Sequence, residues 1–318
     1  MRLVRPIPID SSNFVSTNAT ITPDAEKYGD EWKGEWISGS YNDKDVVYKD
    51  IWLYESLQDS NTNDPSESYL GESAAWFRLG KINMHKVFDE FVNTQTVGPP
   101  PVGNQAVLEF IIEQPDIDSI AFFDLDAAYI SVDILSPSNE VLANIEHDLW
   151  ISTEDPIDWF EYWYGNMLPP TADAFIDLGI LIGEEKIRIH IINVSDTAPA
   201  KCGMICVGLS EYIADTMRSP ETSILDYSRR ATDDFGRTYL RKGNWAKLVS
   251  ATLSVHIDMY DSVHSRLRSA RGTACVWNFN QFGTNYNSLL VYGFFQDFRI
   301  ILQSEKLAQC NIEIQGLI

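Results

Sequence analysis

The sequence predicts a mainly β, multi-domain protein: a small β module, a β-sandwich-like domain, and a C-terminal α+β domain with one helix on a sheet. Three observations carry that expectation. Runs rich in Ile, Val and Phe recur with partial alternation, the period of a strand buried on one face. Turn-rich clusters such as Ser38-Gly39-Ser40 and Asp59-Ser60-Asn61-Thr62-Asn63 interrupt them. Charge is also unevenly placed. Residues 1–200 hold 11 Lys and Arg against 35 Asp and Glu, whereas residues 201–318 hold 13 against 11. A boundary near residue 200 follows, in a chain of 318 residues that exceeds what one core usually supports.

Residues 1–30 read as an extended arm, because Pro6 and Pro8 remove backbone donors and the polar run from Ser11 to Thr22 has no period. Residues 31–80 read as a small aromatic β module, with β-like runs at Asp45–Lys49 and Ile51–Glu55. So small a module makes a marginal core alone.

Residues 81–200 read as an acidic β-sandwich-like domain. Its strand candidates are Ala106–Glu113, Ser119–Asp124, Tyr129–Leu135 and Lys186–Val194. In the last of these, Ile187, Ile189 and Ile191 point one way while Arg188 and His190 point the other. Gly98-Pro99-Pro100-Pro101 marks a rigid loop, and Asp158–Pro170 a dense aromatic loop or short helix.

Residues 201–318 have the clearest pattern. Strands are expected at Gly203–Leu209 and Leu248–Ile257, then a helix from about Tyr260 to Arg271 with Val263, Leu267 and Ala270 on its apolar face and Gly272 as its stop. Further strands are expected at Ala274–Asn278, at Ser288–Ile301 with an interruption near Phe295–Phe298, and at Gln309–Gly316.

Composition excludes several function classes. The net charge of −22 and the acidic first 200 residues disfavour phosphate-backbone binding, which needs clustered Lys and Arg. MRLVRPIPID lacks the apolar core of a signal peptide, and no run approaches a membrane span, so neither export nor a membrane helix is expected. Cys202, Cys206, Cys275 and Cys310 form no zinc pattern and read as small buried thiols in strands.

Nucleophile-elbow, P-loop, dinucleotide and zinc-protease motifs are absent. His256 and His264 read as structural or surface residues, and Asp124-Leu125-Asp126 as a strand end rather than a metal-binding D-x-D. No enzyme, metal or cofactor is expected.

Trp36, Tyr41, Asp45, Val47, Tyr48, Tyr54, Asn61, Pro65 and Trp76 follow an ordered pattern. By it the module resembles small chitin- and cellulose-binding carbohydrate-binding modules, with Lys44 where such modules place a turn glycine. The resemblance implies Trp36, Tyr41, Trp52, Tyr54 and Trp76 as candidate glycan-binding residues, with Trp52 and Trp76 as the stacking platform. The competing reading, and the favoured one, is that the same aromatics make a miniature core.

A broader likeness rests on MRLVRPIPID, on WFRLGKINMHKVFDEFVNTQTV, and on residues 224–240, 289–300 and 310–317. These segments are similar to tail proteins of phage and prophage genomes. That resemblance implies a non-enzymatic structural protein of the virion, assembled in the host cytoplasm. It would form a ring or junction at the tail tip or baseplate, with copies of itself, fibres, tube or hub as partners. A host-glycan adhesin using residues 31–80 is the alternative.

Residues 224–240 agree with an assembly role. Asp226, Arg229, Arg230, Asp233, Asp234, Arg237 and Arg241 surround Tyr227, Phe235 and Tyr239, and mixed charge beside aromatics suits a specific subunit contact. A solvated loop is the competing reading.

Overall fold

Where one face of a strand is buried, alternation decides its position. In Ala106–Glu113 the buried residues are Ala106, Leu108, Phe110 and Ile112. In Lys186–Asn193, Ile187, Ile189 and Ile191 are fully buried. Arg188 and His190 face away, pairing with Asp133 at 2.6 Å and Glu109 at 2.7 Å. The structure is a computed structural model. It describes all residues except 72, 115, 151–158, 165–170, 180–184, 218–219, 234, 281–285, 305 and 318.

Five antiparallel strands form the first sheet, in the order Val141–Asp148, Tyr129–Leu135, Lys186–Asn193, Ala106–Glu113 and Phe14–Thr17. A second sheet contains Ala174–Asp177, Ser119–Asp126, Lys201–Gly208 and Thr96–Val97. Between the two lies one core, in which Ile120, Phe122, Ile205 and Val207 meet Leu108, Phe110, Ile130 and Ile189. This is the expected sandwich.

The second sheet is covered on both sides. Ala121, Phe123, Met204 and Cys206 point away from the sandwich core and pack on Val4, Val276, Leu290 and Tyr292 of a third sheet. That eight-stranded sheet runs Ser210–Tyr212, Arg2–Val4, Cys275–Asn278, Leu290–Leu302, Leu307–Gly316, Trp245–His256 and Asp215–Thr216, with Glu221–Asp226 also pairing on Trp245–His256. Helix Tyr260–Ser269 covers its far face, where Val263, Leu267 and Ala270 join Leu3, Leu253, Trp277 and Ile312. The layers are therefore sheet, sheet, sheet and helix.

Gly272 follows the helix with φ +72°, the left-handed stop its position predicts. The expected interruption of the long strand is a register shift between Phe295 and Asp297. All four cysteines are buried in strands. No helix among the described residues is long and apolar enough to cross a membrane.

Two expectations are corrected. Residues 1–30 are not an extended arm throughout: Arg2–Val4 lies between Ser210–Tyr212 and Cys275–Asn278, Phe14–Thr17 joins the first sheet, and Thr22–Tyr28 is helical. The Gly203–Leu209 run belongs to the sandwich, so the C-terminal unit starts after Gly208 and borrows a strand from the N-terminus. A strand apolar on both faces does not reveal which side is its own domain.

The module is a four-stranded sheet of Trp32–Glu35, Val46–Lys49, Trp52–Ser56 and Trp76–Lys81. Lys44 adopts φ +70° in its first turn, and its N–H donates to the Ser56 carbonyl at 2.9 Å. The turn thus keeps a glycine-like conformation with a lysine in it. Left-handed backbone costs a non-glycine residue about 1–2 kcal/mol. Added chain entropy in the unfolded glycine variant returns about 0.4–1 kcal/mol of that. Lys44→Gly is therefore expected to stabilise the module by about 0.5 kcal/mol, read from urea midpoints. An equal or larger loss would contradict this account.

Candidate functional site

Two surfaces correspond to the candidate residues: the aromatic module and an arm leaving the third sheet. In the module, Tyr41, Tyr54 and Trp76 are core residues, packed with Val47 and Ala75. Trp76 is fully buried, its indole N–H donating to the Asn63 carbonyl at 2.9 Å. Tyr41 packs edge-on against it at 5.4 Å, and the Tyr41 hydroxyl donates to the Ile37 carbonyl at 2.9 Å. Ring faces covered in this way offer nothing to a pyranose, so the platform of Trp52 and Trp76 is corrected on the Trp76 side.

Trp36 and Trp52 are half-buried, each with a cation against its ring. Lys49 Nζ lies 4.8 Å from the Trp36 centroid. The Arg78 guanidinium sits 4.2 Å from Trp52 and 4.8 Å from Tyr69. Of the five candidate residues, these two alone keep accessible ring surface.

The second surface was expected as a contact segment but without strands. Glu221–Asp226 pairs along Trp245–His256, from Glu221 opposite Ser250 to Asp226 opposite Trp245. Beyond that pairing the chain leaves the sheet as a hairpin of Arg229–Thr232 and Thr238–Arg241. At the base, Tyr227 N–H donates to the Asn244 carbonyl at 3.0 Å and Gly243 N–H to Ser228 Oγ at 3.0 Å. At the tip, Asp233 Oδ1 accepts from the N–H groups of Phe235 at 3.0 Å and Arg237 at 2.7 Å, and Gly236 has φ +78°.

Every described residue of these three strands is exposed. Phe235 is 90% exposed, and Ile224, Tyr227, Tyr239, Leu240 and Trp245 also face solvent. Arg229, Arg230, Arg237 and Arg241 are exposed on the hairpin, with Arg230 near enough to Asp226 to favour its charged form. Hydrogen bonds from Ser228 hold Asp226 below the usual carboxylate range. Asp234 lies outside the described residues. Polar and aromatic residues without a regular apolar stripe concealed these strands, since no face of them is buried.

Among the described residues, cavities open where the layers meet. One, of about 580 Å³, is lined by Asp124, Asp173, Trp245 and Lys247. Lys247 pairs with Asp173 and donates to the carbonyls of Asn287 at 3.2 Å and Leu290 at 3.3 Å, tying the sandwich to the third sheet. Burial and the nearby Asp173 raise the Asp124 pKa.

Asp126 instead pairs with Lys201 at 3.2 Å, and Asp124 and Asp126 close a strand as expected. No group of three or more His, Cys, Asp or Glu among the described residues is placed to hold a metal. Another cavity, of about 1150 Å³, lies between Pro6–Ile9, the module and Tyr292. Within it burial raises Asp89 to about 6. Asp89 accepts from Phe91 N–H and Thr94 Oγ1, so its role there is to brace the loop.

No protein-family model matches the chain, and no curated protein does. Among solved structures, it pairs with the tandem CBM51 modules of Sp3GH98, the family 98 glycoside hydrolase from Streptococcus pneumoniae SP3-BS71. The identity is 9% and the TM-score 0.19, over 99% of this chain and 90% of that one. A TM-score that low carries no argument about fold or ligand.

Proposed function

We propose that this chain is a non-enzymatic structural component of a bacteriophage tail, forming a ring or junction at the tail tip or baseplate and anchoring or carrying tail fibres. It is assembled in the host cytoplasm and resides in the virion. Its partners are copies of itself and neighbouring fibre, tube or hub proteins.

The observation that carries the assembly part of this reading is the arm. A two-stranded hairpin is marginal in water on its own, and this one exposes both of its faces. Exposed Phe235, Tyr239 and Leu240 beside four arginines have the composition of an interface, with aromatics and Arg enriched. Placement in a phage tail rests on the resemblance of residues 224–240, 289–300 and 310–317, and the tip or baseplate station is part of the proposal itself. The alternative, host-glycan binding, retains Trp36 and Trp52 as its only ring surfaces among the candidates.

Purified protein is expected to form discrete rings or higher oligomers as concentration rises, seen by negative stain and by light scattering. A strictly monomeric protein at high concentration, in buffer matching the virion's ionic conditions, would sink the reading.

A further inference from the structure

We propose that the arm of one copy docks along the Val141–Asp148 edge strand of a second copy. This inference rests on the assembly reading and names the surface that the arm engages.

Val141–Asp148 is an outer strand of the first sheet, and among the described residues it pairs with Tyr129–Leu135 alone. Its side chains are exposed or half-buried along its length, with Val141 52% and Leu142 60% exposed. Proteins usually guard such an edge with lysine, proline or a bulge that turns it away. This strand contains no lysine or proline; its guards are the exposed carboxylates of Glu146 and Asp148 and a register shift at the Val141 end, and carboxylates admit a basic partner. An eight-residue edge with no strand on its outer side among the described residues invites an added strand.

Charge selects the occupant. Residues 101–185 contain 18 Asp and Glu and no Lys or Arg. Residues 226–242 hold five Lys and Arg against three Asp. Glu140, Glu146 and Asp148 are exposed at or near the edge, and Arg229, Arg230, Arg237 and Arg241 are exposed on the hairpin. The two surfaces are complementary in sign, and among the described residues each ends in a strand with no further partner.

They do not meet within one chain. The arm springs from the third sheet and the edge belongs to the first, with the second sheet between them. Satisfying both therefore takes another copy. Donor and acceptor surfaces differ, so the contact is head-to-tail, a geometry that closes into a ring or continues as a filament.

The test is charge exchange in the full chain. One variant carries Arg229→Glu, Arg230→Glu, Arg237→Glu and Arg241→Glu. A second carries Glu140→Lys and Glu146→Lys, and a third combines all six. These positions are exposed, so circular dichroism and thermal melting should match the parent.

Self-association measured by sedimentation should weaken by more than about a hundredfold in each of the first two, because like charges then face each other. It should return in the combined variant. If the arm variant dissociates while the edge variant assembles like the parent and the combined variant is not rescued, the edge assignment is overturned and the assembly reading survives. If the parent never associates, both fall.

Discussion

Trp76→Ala is expected to cost about 3–5 kcal/mol, the range for removing a large buried aromatic, and to unfold the small β module. The module's core contains few residues, with Tyr41, Val47, Tyr54 and Ala75 arranged around this indole. Truncation opens a cavity there and leaves the Asn63 carbonyl without its N–H donor. Limited proteolysis of the full chain and amide exchange within residues 31–80 would report the loss. A variant as protected as the parent would show that Trp76 is not the centre of the module. The same reasoning makes Trp52→Ala the sounder probe of glycan contact. Trp52 is half-buried with a cation against its ring, so its removal disturbs packing less.

Gly203→Ala should be nearly as damaging, with a loss of about 3 kcal/mol, at the upper end for an overpacked core. A Cβ at this position would lie 2.0 Å from the Val92 carbonyl oxygen and 2.8 Å from Asp124 Cβ. A backbone atom cannot yield as the end of a flexible side chain does. The strand Lys201–Gly208 feeds two cores, so displacement would be felt in the sandwich and at the third sheet together. A lowered urea midpoint with an unchanged slope is expected. A midpoint equal to the parent's would mean that the close approach at Val92 relaxes without cost.

Legibility differed from element to element for identifiable reasons. Lys186–Asn193 was readable because Ile187, Ile189 and Ile191 alternate with Arg188 and His190, and only one of its faces is buried. The Tyr260–Ser269 helix was readable from Val263, Leu267 and Ala270, with Gly272 ending it. Val141–Asp148 went unread because Ile145 is the one apolar side chain it packs on the sandwich core, while Val141 and Leu142 are exposed, so its alternation is weak. In the module, the ordered aromatics allowed both a core and a ligand platform, with the core the favoured reading. Burial assigns Tyr41, Tyr54 and Trp76 to the first.

By itself, the sequence determined which stretches are strands with one buried side, where the helix runs and stops, and that the cysteines lie inside. Local periodicity encodes those features, since it records how many faces of an element are apolar. Only the tertiary structure decided what covers each face. It placed residues 2–4 inside the C-terminal sheet, gave Lys201–Gly208 to the sandwich, and left the hairpin at 229–241 without cover. Those outcomes depend on partners distant in the chain, and a pattern of neighbouring residues carries no information about which distant surface will meet it.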